Sequence, residues 1–446
     1  MLKLCCPVQK YAWGKLGENS LVAILKSSGD SSFQLNSSLP YAELWMGTHT
    51  SGPAIIDGTN TYLSNWLSLN SSAVGYIPDG YSSDSLPFLL KVLSVRTALS
   101  IQAHPDKTLA KTLHITQPEH YKDSNHKPEM SIALTPFESM CGFRPISEIR
   151  NHLTLYPELK SIIGNNVSEQ FQTFDLNDSV YAHQQLKSLF TALMEASDDN
   201  ITENLQLLIH RLKSQEQTKF EEGEETHSNE IIKLNSLMLR LYSDYPNDRG
   251  VVCPLILNYL EIKPGQAFFM GPNEPHAYIS GDCVECMALS DNTVRAGLTP
   301  KHRDVTTLCE MLHYKSDGPP ICPIQQLDEY TTLFRPPFDI CAEFEVEKIE
   351  LLSGQLTSFL RVPCASIFIL VSGTCNLLVQ IDSSSSYIEY PHSIKEDIAS
   401  TGSIYFLSAN QSAIITTDTG VVIYRAHVNL ELLENSQIQL NSFEVR

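Results

Sequence analysis

The sequence predicts a mainly β protein interrupted by a helical insertion. Residues 1–145 and 251–324 carry short apolar runs bounded by turn residues, which mark strands. Residues 146–250 carry apolar residues at a helical period instead. Residues 325–446 return to strand texture, with runs recurring at roughly 8–12 residues, the spacing of a sandwich or barrel.

The first strands are read from Pro87-Phe88-Leu89-Leu90-Lys91-Val92-Leu93 and Ala98-Leu99-Ser100-Ile101-Gln102. In the insertion, Leu205, Leu208, Ile209 and Leu212 share one helix face, as do Ile231, Leu234, Met238 and Leu241. The acidic run Glu221-Glu222-Gly223-Glu224-Glu225 between them reads as a solvated loop. Beyond it, Lys263-Pro264-Gly265-Gln266 reads as a tight turn, because Pro fixes φ and Gly supplies a positive φ. Ala365–Val371 and Ala413–Thr416 read as late strands, and Asp382–Ser386 as a loop tip. Two β-rich regions flanking a helical segment are compatible with two copies of one barrel type.

The formal net charge is −20. No basic surface dominates, which argues against nucleic acid or an anionic membrane as partner. A phosphate ligand would need cations gathered locally. Hydrophobic residues make up 42% of the 446-residue chain, enough for two to four cored domains. No run reaches the ~18 apolar residues of a membrane span. The start, Met1-Leu2-Lys3-Leu4-Cys5-Cys6-Pro7, lacks the apolar core of a signal peptide. The 11 cysteines are odd in number and follow no framework spacing, so free thiols in a reducing cytoplasm are expected. Cys283-Val284-Glu285-Cys286 lacks a second pair and is read as packing.

Four segments place metal-competent and charged side chains among strand formers. In Ser100-Ile101-Gln102-Ala103-His104-Pro105-Asp106-Lys107, Gln102 and His104 share a strand face. In His126-Lys127-Pro128-Glu129-Met130, Lys127 and Glu129 share one, with His126 turned away unless the chain bends at Pro128. Two prolines stiffen Gly271-Pro272-Asn273-Glu274-Pro275-His276-Ala277-Tyr278 around His276. Two imidazoles, one carboxylate and one neutral oxygen suit zinc or another borderline divalent ion. The fourth segment, Glu285 to Lys301, offers Arg295 and Lys301 for anionic groups and Glu285 and Asp291 for proton handling.

The motifs Tyr11-Ala12-Trp13-Gly14, Tyr41 through His49, Gln102 through Lys107, His126 through Met130 and Pro272 through Pro300 carry a specific likeness. The sequence resembles the type I mannose-6-phosphate isomerases (phosphomannose isomerases) of the cupin superfamily, over nearly its whole length. The resemblance implies a cupin-type β-barrel (jelly roll) catalytic domain split between residues 1–145 and 251–324, a helical domain at 146–250 and a second cupin-like domain at 325–446. It implies one Zn²⁺ per chain, held by Gln102, His104, Glu129 and His276. It implies catalytic roles for Arg295, Lys127 and Glu285. Lys91, Ser100 and Lys301 match positions near the substrate phosphate, and Trp13, Glu43, Tyr278 and Asp291 match positions lining the pocket. The implied reaction interconverts mannose 6-phosphate and fructose 6-phosphate through an enediol, feeding GDP-mannose and glycan synthesis. A monomer is expected.

Two other classes fit parts of this pattern. Two histidines and a carboxylate also serve iron oxygenases. A non-catalytic sugar-phosphate binder would keep the cations, but such a relative is expected to have lost Arg295 or a metal ligand, and none is lost here. Gln102 as a fourth ligand and the lysines favour the isomerase.

Overall fold

Two large antiparallel sheets, one of ten strands and one of eleven, and a two-stranded pair of Lys15–Leu16 with Pro40–Tyr41 form the β part of the described chain. The computed structural model describes residues 1–176, 178–222, 229–380 and 394–434. Among these residues no helix is long and apolar enough to cross a membrane.

The ten-stranded sheet is organised by His276–Ala288, a 13-residue strand. It pairs with Phe88–Val95, Glu129–Ala133 and Phe137–Phe143, and with Gln102 through His276. Its partners change at Gly281: residues before it pair with Phe137–Phe143 and Gln102, and residues from it onward with Phe88–Val95 and Glu129–Ala133. Gly281 has φ 114°, and a Cβ there would lie 2.6 Å from the Pro136 carbonyl oxygen. The predicted turn also forms: Gly265 has φ 84°, and Gln266 N–H donates to the Lys263 carbonyl at 2.9 Å.

The two faces of this sheet have different partners. All eight residues of Phe88–Val95 are buried, as expected of a strand covered on both sides. Leu90, Val92, Val284 and Cys286 share a core with Phe334, Ile367, Ile369 and Tyr424 of the second sheet. Leu89, Lys91, Leu93, Glu285 and Met287 line a cavity on the other face. Cys283 and Cys286 consequently belong to different clusters, since strand residues three apart point to opposite faces. All eleven cysteines are free thiols, ten of them buried.

Helices fill the insertion from Ile146–Leu155 to Asn229–Asp244. Leu205, Leu208, Ile209 and Leu212 are buried, as are Leu234, Met238 and Leu241. The helices share one core with Met140, Phe143, Leu257 and Ala277 of the sheet, so they dock on it and have no separate core. The acidic run begins inside a helix, which continues to Glu222. Its residues 223–225, and the expected loop tip Asp382–Ser386, lie outside the described residues.

The second sheet contains the expected late strands within Ser366–Gln380 and Ser412–Thr416. It also departs from a boundary at residue 325. Leu2–Cys5 pairs with Ile404–Leu407 of this sheet, not with the first one. Leu2 and Leu4 are buried in the core between the sheets, which gives this N-terminal strand its reason to cross over.

Candidate metal centre and active-site cavity

Three side chains converge where strands meet at one end of the first sheet. His104 follows the strand Ile101–Ala103, Glu129 opens the strand Glu129–Ala133, and His276 opens the long strand. Their ligand atoms lie within 4.8 Å of one another, and all three residues are buried. His104 Nε2 is 3.5 Å from Glu129 Oε1, and His276 Nε2 is 3.3 Å from Oε2.

The outer ring nitrogens explain why these atoms suit a cation. His104 Nδ1 donates to the Asn292 carbonyl at 2.6 Å, and His276 Nδ1 to the Glu274 carbonyl at 2.9 Å. That places the lone pair of each neutral ring on Nε2, facing the centre. Both Nε2 atoms are buried without a hydrogen-bond partner. Burial, together with Lys127, lowers the His104 imidazole to about 4, so it stays neutral. Burial opposes ionisation of Glu129, but charged and hydrogen-bonding neighbours, led by the Lys127 ammonium, outweigh it and hold the carboxyl well below the ordinary range. Two buried imidazole Nε2 atoms without a hydrogen-bond partner, converging on one carboxylate, fit a zinc-type ion. Gln102 lines the same cavity, in direct register with His276 and Arg295, and its Oε1 receives Ser100 Oγ at 3.3 Å.

The cavity beside this cluster has a volume of about 830 Å³. Every residue the sequence singled out for substrate or catalysis lines it: Trp13, Glu43, Lys91, Ser100, Lys127, Tyr278, Glu285, Asp291, Arg295 and Lys301. Trp45, Lys91, Glu285 and Ser131 form one cross-strand row on the cavity face. Lys91 Nζ lies 2.8 Å from Glu285 and 3.4 Å from Glu43. Tyr278 O–H donates to the other Glu285 oxygen at 2.7 Å, and Ser131 O–H donates to the Tyr278 oxygen at 2.8 Å. Burial pushes the Glu285 carboxyl above its ordinary range despite Lys91. Burial also works against the Lys91 ammonium, but Glu285, Glu43 and Glu129 raise its pKa overall.

The remaining cations differ in their surroundings. Lys127 Nζ is 2.9 Å from Glu129 Oε1, so the two side chains meet as expected, although Lys127 lies just before the strand that Glu129 opens. His126 turns away, with Pro128 between it and the strand. Arg295 and Lys301 have no carboxylate partner among the described residues.

The cavity also includes residues to which no role is assigned from sequence. Trp45 and His49 stand edge to face at 5.0 Å, and His49 Nε2 reaches Asp291 at 3.3 Å. Both lie inside a motif already quoted, which was the available signal. Asp244 and Tyr245 arrive from the end of the last insertion helix, with no local signal for it. Tyr245 O–H is tied to the Ala98 carbonyl at 2.6 Å.

With this geometry in view, relatives can be compared. Residues 1–146 match the family model "Phosphomannose isomerase type I, catalytic domain", and residues 162–257 match the helical insertion domain of the same family. The mannose-6-phosphate isomerases of Rattus norvegicus and Homo sapiens are each 42% identical to the chain, over 95% of it and 97% of the relative. The chain belongs to the type I phosphomannose isomerases. The match extends to plants: mannose-6-phosphate isomerase 2 of Arabidopsis thaliana is 39% identical over 96% of the chain and 93% of its own length. Among solved structures of this isomerase family, a mannose 6-phosphate isomerase bound with zinc and yttrium superposes with a TM-score of 0.75 at 26% identity. It covers 96% of this chain and is itself covered completely. An arginine-to-alanine variant of the phosphomannose isomerase from Salmonella typhimurium gives 0.76 at the same identity and coverage.

Proposed function

We propose that this chain is a zinc-dependent isomerase that interconverts mannose 6-phosphate and fructose 6-phosphate. The observation that carries the reading is the shared cavity. The cluster of His104, Glu129 and His276 adjoins, through Glu129, the same space that Glu285 lines with Arg295 and Lys301, which have no carboxylate partner among the described residues. An oxygenase would share the first feature; Gln102 beside the metal-competent donors and the phosphate-competent lysines favour the isomerase.

In this reading the first sheet is a cupin-type barrel and the second a related domain without chemistry of its own. Gln102 joins His104, Glu129 and His276 as fourth ligand of one ion. Bound there, zinc supplies Lewis acidity and a template for sugar oxygens. Lys301 and Ser100 hold the phosphate at the cavity mouth. Lys91 is the revision: sitting between Glu285 and Glu43, it adds no net positive charge, so its role moves from phosphate anchor to partner of Glu285.

Moving a proton between C2 and C1 requires a group that can both take it and return it. Glu285 suits this, because its raised pKa lies closer to neutrality than that of an ordinary carboxylate. Lys127 is the competing carrier. Arg295, always charged, stabilises negative charge developing on an enediolate oxygen. Trp13, Glu43, Tyr278 and Asp291 shape the pocket. The eleven free thiols support a reducing, cytoplasmic setting, where the product would feed GDP-mannose and glycan synthesis from a monomeric enzyme.

Turnover in D₂O tests the proton route. Deuterium entering at the accepting carbon is expected as the carrier exchanges with solvent. Complete retention of the substrate hydrogen over many turnovers would point to a hydride shift and contradict the enediol.

A further inference from the structure

Glu343 lies in the loop between the strands Thr331–Phe334 and Glu345–Leu351, beyond both segments matched by the family models. Its side chain is fully buried. One oxygen, Oε1, receives three donors: His126 Nε2 at 2.8 Å, Lys107 Nζ at 2.9 Å and Tyr81 O–H at 3.2 Å. All three come from the first part of the chain.

These donors sit next to the metal centre in sequence. Lys107 starts the helix Lys107–Thr116, three residues after His104. His126 stands three residues before Glu129. The Tyr81 oxygen also accepts from Asn125 Nδ2 at 2.6 Å. The Asn125 carbonyl accepts from Asn292 Nδ2 at 2.9 Å, and the Asn292 carbonyl is the one that orients His104. One carboxylate from the second-sheet region therefore touches both segments that carry His104 and Glu129, and reaches the His104 ring through a third path. Burial opposes the charge on Glu343, but His126 and Lys107 outweigh it and hold the carboxyl at about 2.

We propose that Glu343 is a positioning residue for the metal centre, through which the second-sheet region holds the His104 and Glu129 segments at ligand geometry. The inference rests on the metal reading above. Supporting partners of this kind are worth roughly 10–100-fold in metal affinity.

The test compares zinc-loaded wild type, Glu343→Ala, Glu343→Gln and Phe344→Leu. Phe344→Leu loosens the neighbouring packing between the sheets without touching the carboxylate. The readouts are the rate of zinc transfer to a chelator, the melting midpoint of the metal-free protein, and kcat and KM at full occupancy. Glu343→Ala is expected to lose zinc about 10–100-fold faster. Glu343→Gln, which keeps a carbonyl acceptor, should fall between it and wild type, and Phe344→Leu should retain zinc as wild type does. At full occupancy kcat should fall with little change in KM. Wild-type retention in both Glu343 variants overturns the proposal, as does equally fast loss from Phe344→Leu. If Glu343→Ala does not fold, Glu343→Gln decides alone: faster loss supports the proposal and wild-type retention overturns it. A wild-type protein that holds no zinc defeats the metal reading as well, whereas retention in the variants defeats this inference only.

Discussion

Lys91 and Glu285 face each other in direct cross-strand register, ammonium to carboxylate at 2.8 Å, with Glu43 closing on the ammonium at 3.4 Å. Both residues are almost fully buried. Lys91→Met leaves two buried carboxylates without their cation, a change that costs up to about 3–5 kcal/mol, part of it recovered as Glu285 takes up a proton. Denaturant melts should show this loss. The double variant Lys91→Met/Glu285→Gln should be more stable than Lys91→Met alone. Additive losses would mean that the pair does not interact energetically.

His276→Ala removes one of the converging nitrogens, and Glu129→Gln removes the one charge among the candidate ligands. Each should weaken zinc binding by more than the roughly 10–100-fold attributed to a supporting partner. Metal content after dialysis against a chelator measures this. Full zinc occupancy in either variant contradicts the ligand assignment.

Arg295 carries no carboxylate partner among the described residues, and burial lowers its pKa from the ordinary arginine value. Its charge is free to act on substrate. Arg295→Ala should lower kcat by about 10²–10³-fold with a smaller effect on KM, as expected of a group that acts in the transition state. Unchanged kcat with a raised KM would reduce Arg295 to a binding group.

The second sheet carries a buried titrating group. His427 lies between Glu345 and Glu347, each at 3.4 Å, and Glu347 also holds Arg425 at 3.1 Å. Burial pushes the imidazole down, but the Cys364 hydrogen bond and the two carboxylates raise it to about 10. The folded value lies above the unfolded one of roughly 6.5, so the stabilisation is complete below about pH 6.5 and is lost as pH rises towards 10. The melting midpoint should decline across that window, and less steeply in His427→Asn. Parallel profiles for the two proteins would contradict the assignment.

Local patterns made much of this molecule readable. Alternation brought Lys127 and Glu129 together, and the lack of a second C-x-x-C pair pointed to packing for Cys283 and Cys286, both of which are buried. Helical period found the buried stripe from Leu205 to Leu212. Gly265 gave away its turn. What stayed hidden depends on contacts between distant segments. Nothing near Leu2–Cys5 announces that it joins the second sheet, and nothing near Tyr245 says that a helix end reaches the cavity. Lys91 illustrates the limit best. Its place near the substrate was implied by the family resemblance, but its pairing with Glu285 and Glu43 comes from strand register, which a single strand's sequence does not contain.

The central claim is tested most directly by a coupled assay for fructose 6-phosphate formed from mannose 6-phosphate, with zinc measured before and after chelation on the same sample. The account predicts activity that disappears as zinc is removed and returns when zinc is restored. A folded, zinc-loaded protein that forms no fructose 6-phosphate would contradict it.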